Sequence, residues 1–259
     1  MSFKLKAAWF FSGLTGIFLT ILAFAPAAWL DYALEYQTGG RVALGDVQGS
    51  LWSGSAFIGV ADSRNGDLTP VLPGRFVWHL SPILLLGQIE LVLDNSAALK
   101  SSVHLSGNFR QLQVSPGAVM LPSERLAGLG APLNTLKPRG QITLSWDTLN
   151  LAMENGMPSL DGAMKLTMQD MASALSPVKP LGTYLMTFVW HEQSAAIELK
   201  SVQGPLLLSG SGNLMQGHLR FSGQAAAQDG QEDRLVNLLN LLGQRKPGAE
   251  KNVIALEFN

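Results

Sequence analysis

Apolar and polar residues follow two different rhythms along this chain. Residues Ala7 to Leu30 form one unbroken apolar run with no charge inside it; Phe10, Phe11, Leu14, Ile17, Phe18, Leu19, Ile21, Leu22 and Phe24 all lie within it. That length suits a helix crossing roughly 30 Å of hydrocarbon. Lys4 and Lys6 precede the run, Asp31 and Glu35 follow it, and Trp9 and Trp29 bracket it where interfacial aromatic anchors belong. The charge asymmetry predicts a cytoplasmic N-terminus over residues 1–6, a transmembrane helix over 7–30, and residues 31–259 on the far side. A cleaved signal peptide is the alternative. Its apolar stretch should be only about 7–15 residues long, and the one small-residue site here, Ala23-Phe24-Ala25, is followed by Pro26, which suits cleavage poorly.

Beyond Asp31 the period falls to two. Ile142, Leu144 and Trp146 alternate with Thr143, Ser145 and Asp147, the pattern of a half-buried antiparallel strand. Similar segments are predicted at 41–48, 51–60, 76–80, 88–93, 99–105, 109–114, 160–168, 183–191, 195–202, 205–208, 218–222 and 253–258. Turns are expected at Gln37 to Gly40 and at Asp62 to Asp67. Short strands joined by Gly, Pro and Ser argue for an antiparallel meander rather than βαβ units. Helices are few. Gln231 to Leu242 places Leu235, Leu238, Leu239 and Leu242 on one face, with Glu232 and Asp233 in its first turn and Gly243 at its end. A shorter helix is expected over Ser123 to Leu129, and 121–138, rich in Pro and Gly, is the expected boundary between two halves. Phe76-Val77-Trp78-His79 recurs as Phe188-Val189-Trp190-His191, an echo consistent with duplication. Trp52, Trp78, Trp146 and Trp190 are all expected on the apolar face.

Composition narrows the chemistry. A net charge of −1 and a charged fraction of 14% provide no basic field, which argues against nucleic acid as a partner. The chain has no cysteine, so disulfides, thiolate metal sites and thiol catalysis are excluded. His79, His104, His191 and His218 lie far apart in sequence and belong to no metal motif; partly buried strand histidines are the expectation. There is no GxSxG elbow. Ser209-Gly210-Ser211-Gly212-Asn213 lacks the GK[ST] of a phosphate loop and reads as a hairpin or bulge. Asp46, Asp62, Asp67, Asp94, Asp147 and Asp170 sit at expected strand ends, where turns explain them. No catalytic residue, cofactor or metal site is predicted.

The segment Gly49-Ser50-Leu51-Trp52-Ser53-Gly54-Ser55-Ala56 resembles the protein N family of the type II secretion system. The resemblance continues at Trp78-His79-Leu80-Ser81-Pro82, at Leu84-Leu85-Leu86-Gly87, at Pro180-Leu181-Gly182-Thr183-Tyr184, and at Gly204-Pro205-Leu206-Leu207-Leu208. It covers the whole chain, anchor included. Each motif is short, and their order and spacing carry the match. The family is also similar to AsmA-like β-domains, so the resemblance implies a curved antiparallel sheet with an apolar inner face.

The resemblance implies a non-enzymatic, single-pass inner-membrane component of a machine that exports folded proteins across the outer membrane. Its β-rich domain would be periplasmic and its partners other secretion subunits. Gly49, Gly54, Gly87 and Gly182 suit turns or bulges, and Trp52 and Trp78 large apolar fillers. The competing reading is a grooved domain that binds a lipid or other hydrophobic ligand.

Overall fold

The apolar run is not one helix. The computed structural model describes residues 3–40, 42–60, 69–70, 72–124, 133–154, 156–215, 218–245 and 253–258, with backbone alone at 3–8, 11, 18–19, 60, 69–70, 133–134, 244–245 and 258. Helix α1 spans Phe3–Ala23 and helix α2 spans Ala28–Thr38. Pro26 separates them, because it has no N–H for an i−4 carbonyl and its ring clashes with that carbonyl. The single helix expected over 7–30 is therefore corrected to two. Among the described residues no helix is long and apolar enough to cross a membrane. Gly39 ends α2 in the left-handed conformation, so the turn expected at Gln37 to Gly40 is the last helical turn and its cap.

The rest is mainly antiparallel β-sheet. The strands are β1 (Val42–Gly49), β2 (Ser53–Val60), β3 (Thr69–Pro70), β4 (Phe76–Leu80), β5 (Gln88–Asp94), β6 (Val103–Asn108), β7 (Gln111–Val114) and β8 (Gly117–Pro122). A 3-10 helix, Pro82–Leu86, joins β4 to β5, and the short helix α3 (Leu133–Leu136) precedes β9 (Arg139–Trp146). Then come β10 (Leu149–Glu154), β11 (Met157–Ala172), β12 (Gly182–His191), β13 (Ser194–Gln203), β14 (Leu206–Met215) and β15 (His218–Ala227). Helix α4 (Glu232–Leu242), β16 (Gln244–Arg245) and β17 (Val253–Phe258) follow. The shorter helix expected over Ser123 to Leu129 falls largely on 125–132, and the turn over Asp62 to Asp67 on 61–68; both lie outside the described residues.

Neighbours in space are mostly neighbours in sequence. β1, β2, β4, β5, β6 and β7 pair in succession. β7 and β8 act as one kinked strand beside a second, β9 with β10: Val114 opposes Leu149 and Gly117 opposes Trp146. The sixteen-residue β11 pairs with β10 through its first part and with β9 and β12 through the rest. β12 to β15 continue the meander, and β17 closes it against β15. An up-and-down order puts alternate hairpins at opposite ends of the sheet. The turns at 49–53, 81–87, 108–111 and 154–157 therefore share one end, called here the proximal end.

Period-two alternation builds the core. On β13, Ala195, Ile197 and Leu199 are buried while Ala196, Glu198 and Lys200 are exposed. Ile197 and Leu199 join Ile142, Tyr184, Leu206, Phe221 and Ile254 in one cluster capped by Leu235, Leu238 and Leu239 of α4. The sheet curls around this cluster. Five strand gaps, about 24 Å, separate β11 from β17, yet Met168 and Leu256 line the same cavity of about 520 Å³.

Two local expectations are corrected. Ser209 to Asn213 is neither hairpin nor bulge but the middle of β14, in regular register with β13 and β15. A Cβ at Gly210 would lie 2.5 Å from Phe221 Cζ, so the glycines accommodate an aromatic ring lying across the strand. The four histidines are exposed, not partly buried. Where Phe76 and Trp78 point inward, the strand period turns His79 outward.

Candidate functional site

The residues that the sequence singles out around Trp52 assemble where α1 meets the proximal end of the sheet. Pro26 leaves the Leu22 carbonyl without its usual helical donor at that position, and Trp52 Nε1 donates to it at 2.8 Å. Past Ala23 the chain leaves the helix and adds to the β1–β2 turn. Leu51 N donates to Ala25 O at 2.8 Å, Ala27 N donates to Gly49 O at 3.3 Å, and Pro26 bridges Ser50. Ala25 and Ala27 are buried there, where larger side chains would not fit against the turn.

Behind this contact lies Trp78, the core of a small cluster with Ala27, Ala56, Leu30, Leu44, Val47, Leu91 and Leu93. Its Nε1 donates to Leu51 O at 3.1 Å. A Cβ at Gly54 would lie 2.4 Å from Trp78 Cζ2 and 2.6 Å from Gln48 O, so the indole packs directly on the glycine backbone. Gly49 ends β1 opposite Gly54. Leu80 N donates to Trp52 O at 2.7 Å, and the chain then enters the 3-10 helix at Pro82. Gly87 closes that helix, its N–H donating to Leu84 O at 2.9 Å. One continuous set of main-chain and indole bonds thus joins α1, the β1–β2 turn and β4.

The remaining motif residues lie elsewhere. Pro180, Leu181, Gly182, Tyr184, Gly204 and Pro205 gather at the opposite, distal end of the sheet. Leu181 O accepts from Leu206 N at 2.9 Å, Pro205 O accepts from Gln228 N at 2.8 Å, and Tyr184 OH donates to Leu206 O at 3.0 Å. Burial pushes the Tyr184 phenol well above the ordinary tyrosine range. The two motif groups are not brought together.

Three contributors escape a reading by motif. Asp31 of α2 accepts Leu44 N at 2.7 Å, tying α2 to edge strand β1. At the β1 bulge, Asp46 accepts from the Arg75 guanidinium, which together with Gln48 holds its carboxyl below the usual range. The same guanidinium stacks 4.7 Å from the Phe57 ring centre. Pro26 is visible in the sequence, but its effect depends on Trp52, whose indole bonds the Leu22 carbonyl thirty residues before it.

Among the described residues no three His, Cys, Asp or Glu side chains gather as a metal site would require. His191 Nδ1 and Asp161 Oδ1 meet at 3.0 Å on the surface as an isolated pair. What the junction offers is mechanical continuity between a helix and a sheet. A family model described as type II secretion system (T2SS), protein N, matches residues 40–250. The chain belongs to this family. The protein N family is one of accessory secretion components rather than a known enzyme family. No curated protein and no solved structure matches the chain.

Proposed function

We propose that this protein N family member is a non-enzymatic, single-pass inner-membrane component whose periplasmic β-domain works through contacts with other subunits of the type II secretion system. The observation that carries this reading is the junction itself. Trp52 and Leu51 hold the end of α1 through side-chain and main-chain bonds, so the helix is a fixed mount rather than a loose leash. A fixed mount holds the domain at the membrane at high effective concentration for partners there.

Membrane anchoring by α1 is part of the proposal. Phe10, Leu14, Ile17 and Ile21 are all more than half exposed, which in water would leave a large apolar surface uncovered. The uncharged stretch from Ala7 to Ala23 reaches the lower end of the roughly 17–25 residues that span a bilayer. Lys4 and Lys6 at its start support a cytoplasmic N-terminus. In-cell photocrosslinking from positions on the exposed β-domain surface, followed by mass spectrometry, tests the function. Crosslinks to secretion subunits are expected, dependent on an intact Trp52; their absence in a secreting cell would refute the scaffold reading.

The cavity favours a second reading, a domain that binds a hydrophobic ligand. Its walls are apolar side chains of β11, β12, β14, β17, α3 and α4, Tyr184 among them. At about 520 Å³ it falls within the size of small-ligand sites. Mass spectrometry of the detergent-purified protein under native conditions tests this, with Leu206→Trp as the cavity-filling control. A stoichiometric lipid lost in the variant supports the reading, and a bare protein refutes it.

A further inference from the structure

Three adjacent hairpin tips at the proximal end expose apolar side chains. Leu85 and Leu86 of the 3-10 helix are 55% and 81% exposed, Phe109 is 66%, and Met153 and Met157 are about half exposed. The tips are contiguous: Gln88 opposes Asn108 beside Phe109, and Met153 N donates to Arg110 O at 2.9 Å. The strip starts beside α1, because Leu80 N bonds Trp52 O and Trp52 Nε1 bonds Leu22 O. The distal end of β5 and β6 is the opposite in character. The β5–β6 turn there presents Ser96, Lys100 and Ser101 to solvent, with Asn95 folded inward. Opposite polarity at the two ends of one pair of strands marks the two ends as facing different surroundings.

We infer that this strip is a second membrane contact: the tips carrying Leu85, Leu86, Phe109, Met153 and Met157 rest in the outer interface of the bilayer that α1 crosses. The inference rests on the anchoring proposed above. A lipid surface is favoured over a protein because the strip is continuous with the end of α1, so anchoring brings it to the bilayer without further motion. Arg110, between Phe109 and Met153, suits phosphate headgroups, and Trp29 of α2, 52% exposed at the same end, suits the aromatic belt. Two contacts instead of one fix the tilt of the sheet over the membrane.

The chain has no cysteine, so single cysteines can be labelled cleanly in the full-length protein. Leu86→Cys, Phe109→Cys and Met153→Cys, each bearing a polarity-sensitive fluorophore, are placed in vesicles of phosphatidylethanolamine and phosphatidylglycerol doped with headgroup-level nitroxide lipid. Ser101→Cys is the distal control and Leu14→Cys reports α1. The expected result is a blue shift and loss of emission at all three tips and none at Ser101. Tips that behave like Ser101 while Leu14→Cys is quenched by deep-chain nitroxide overturn this inference alone. An unquenched Leu14→Cys overturns the anchor reading. Tips quenched only after secretion subunits are added also overturn it, since the strip would then be a protein surface.

Discussion

Trp52, Trp78 and Trp146 each donate an indole N–H to a main-chain carbonyl, of Leu22, Leu51 and Ser115, whereas Trp190 Nε1 is buried without a partner among the described residues. Replacing Trp by Phe removes the N–H and keeps most of the apolar body. At Trp52 this removes the shorter of two hydrogen bonds to Leu22 O and leaves Ala25 N, at 3.4 Å, as its donor, at a cost of about 0.5–1.5 kcal/mol. At Trp190 the same change removes a desolvated donor and is expected to be neutral or stabilising, as urea titration of the two variants will show. Trp78→Ala, which empties a fully packed site, should cost about 3–5 kcal/mol. Tyr184 gives a pH signature. Its phenol is raised in the folded state, so its contribution is complete below the unfolded value of about 10 and is lost as pH rises through the folded value. Urea midpoints measured across the alkaline range should fall for the parent, and less steeply for Tyr184→Phe. At neutral pH that variant starts lower, because Leu206 O loses its donor.

At the level of elements, α4 and β14 show packing deciding what each segment does. Leu235 of α4 is wholly buried, while Leu241 on the same helix is 53% exposed. Leu235→Ala should destabilise by about 2–5 kcal/mol, whereas Leu241→Ala should stay within about 0.5 kcal/mol of the parent. Both are measurable by chemical denaturation. Gly243 ends α4 in an extended conformation, not the left-handed cap its position suggests, and a Cβ there would lie 2.2 Å from Ala255 O. On β14, Gly210→Ala should destabilise through its clash with Phe221, and Phe221→Leu in the same chain should recover part of the loss. Additive effects in that double-mutant cycle would mean that the ring and the glycine do not act together.

For the molecule as a whole, the position of a cut decides whether the domain survives it. Ala27 and Leu30 pack into the cluster around Trp78, and Ala25 is buried against the β1–β2 turn, so the β-domain reaches back past Asp31 to Phe24. A chain beginning at Phe24 should keep nearly the parent melting temperature. One beginning at Tyr32 loses the buried alanines, Leu30 and the Pro26–Ser50 pairing. A loss of about 2 kcal/mol in a domain of this size lowers Tm by about 4–8 °C, and calorimetry of the two truncated chains tests the difference. The sheet has a protected edge to match: α2 covers β1, with Asp31 occupying the Leu44 N–H that would otherwise pair with another strand. A partner strand therefore has no open register along that part of β1.

Much of this fold was legible because strand period and helix period are local properties. Ile142, Leu144 and Trp146 announce a strand by alternation alone, and the leucines of α4 announce a helix with one buried face. Motif order likewise indicated the family without any contact being known. Other features depend on residues distant in sequence. Gly117–Pro122 and Leu149–Glu154 were missed as strands because their pairing comes from the long partners beside them. The Ser-Gly-Ser-Gly segment reads as a turn until Phe221 lies across it. Pro26 sits inside an apolar run that by composition is one helix, and only its inability to donate to Leu22 O, together with an indole placed to do so, makes it a joint. Composition and period set which segments are helix or strand and which face is apolar; carbonyls left open by one segment and donors brought from another decided how the helix is mounted on the sheet.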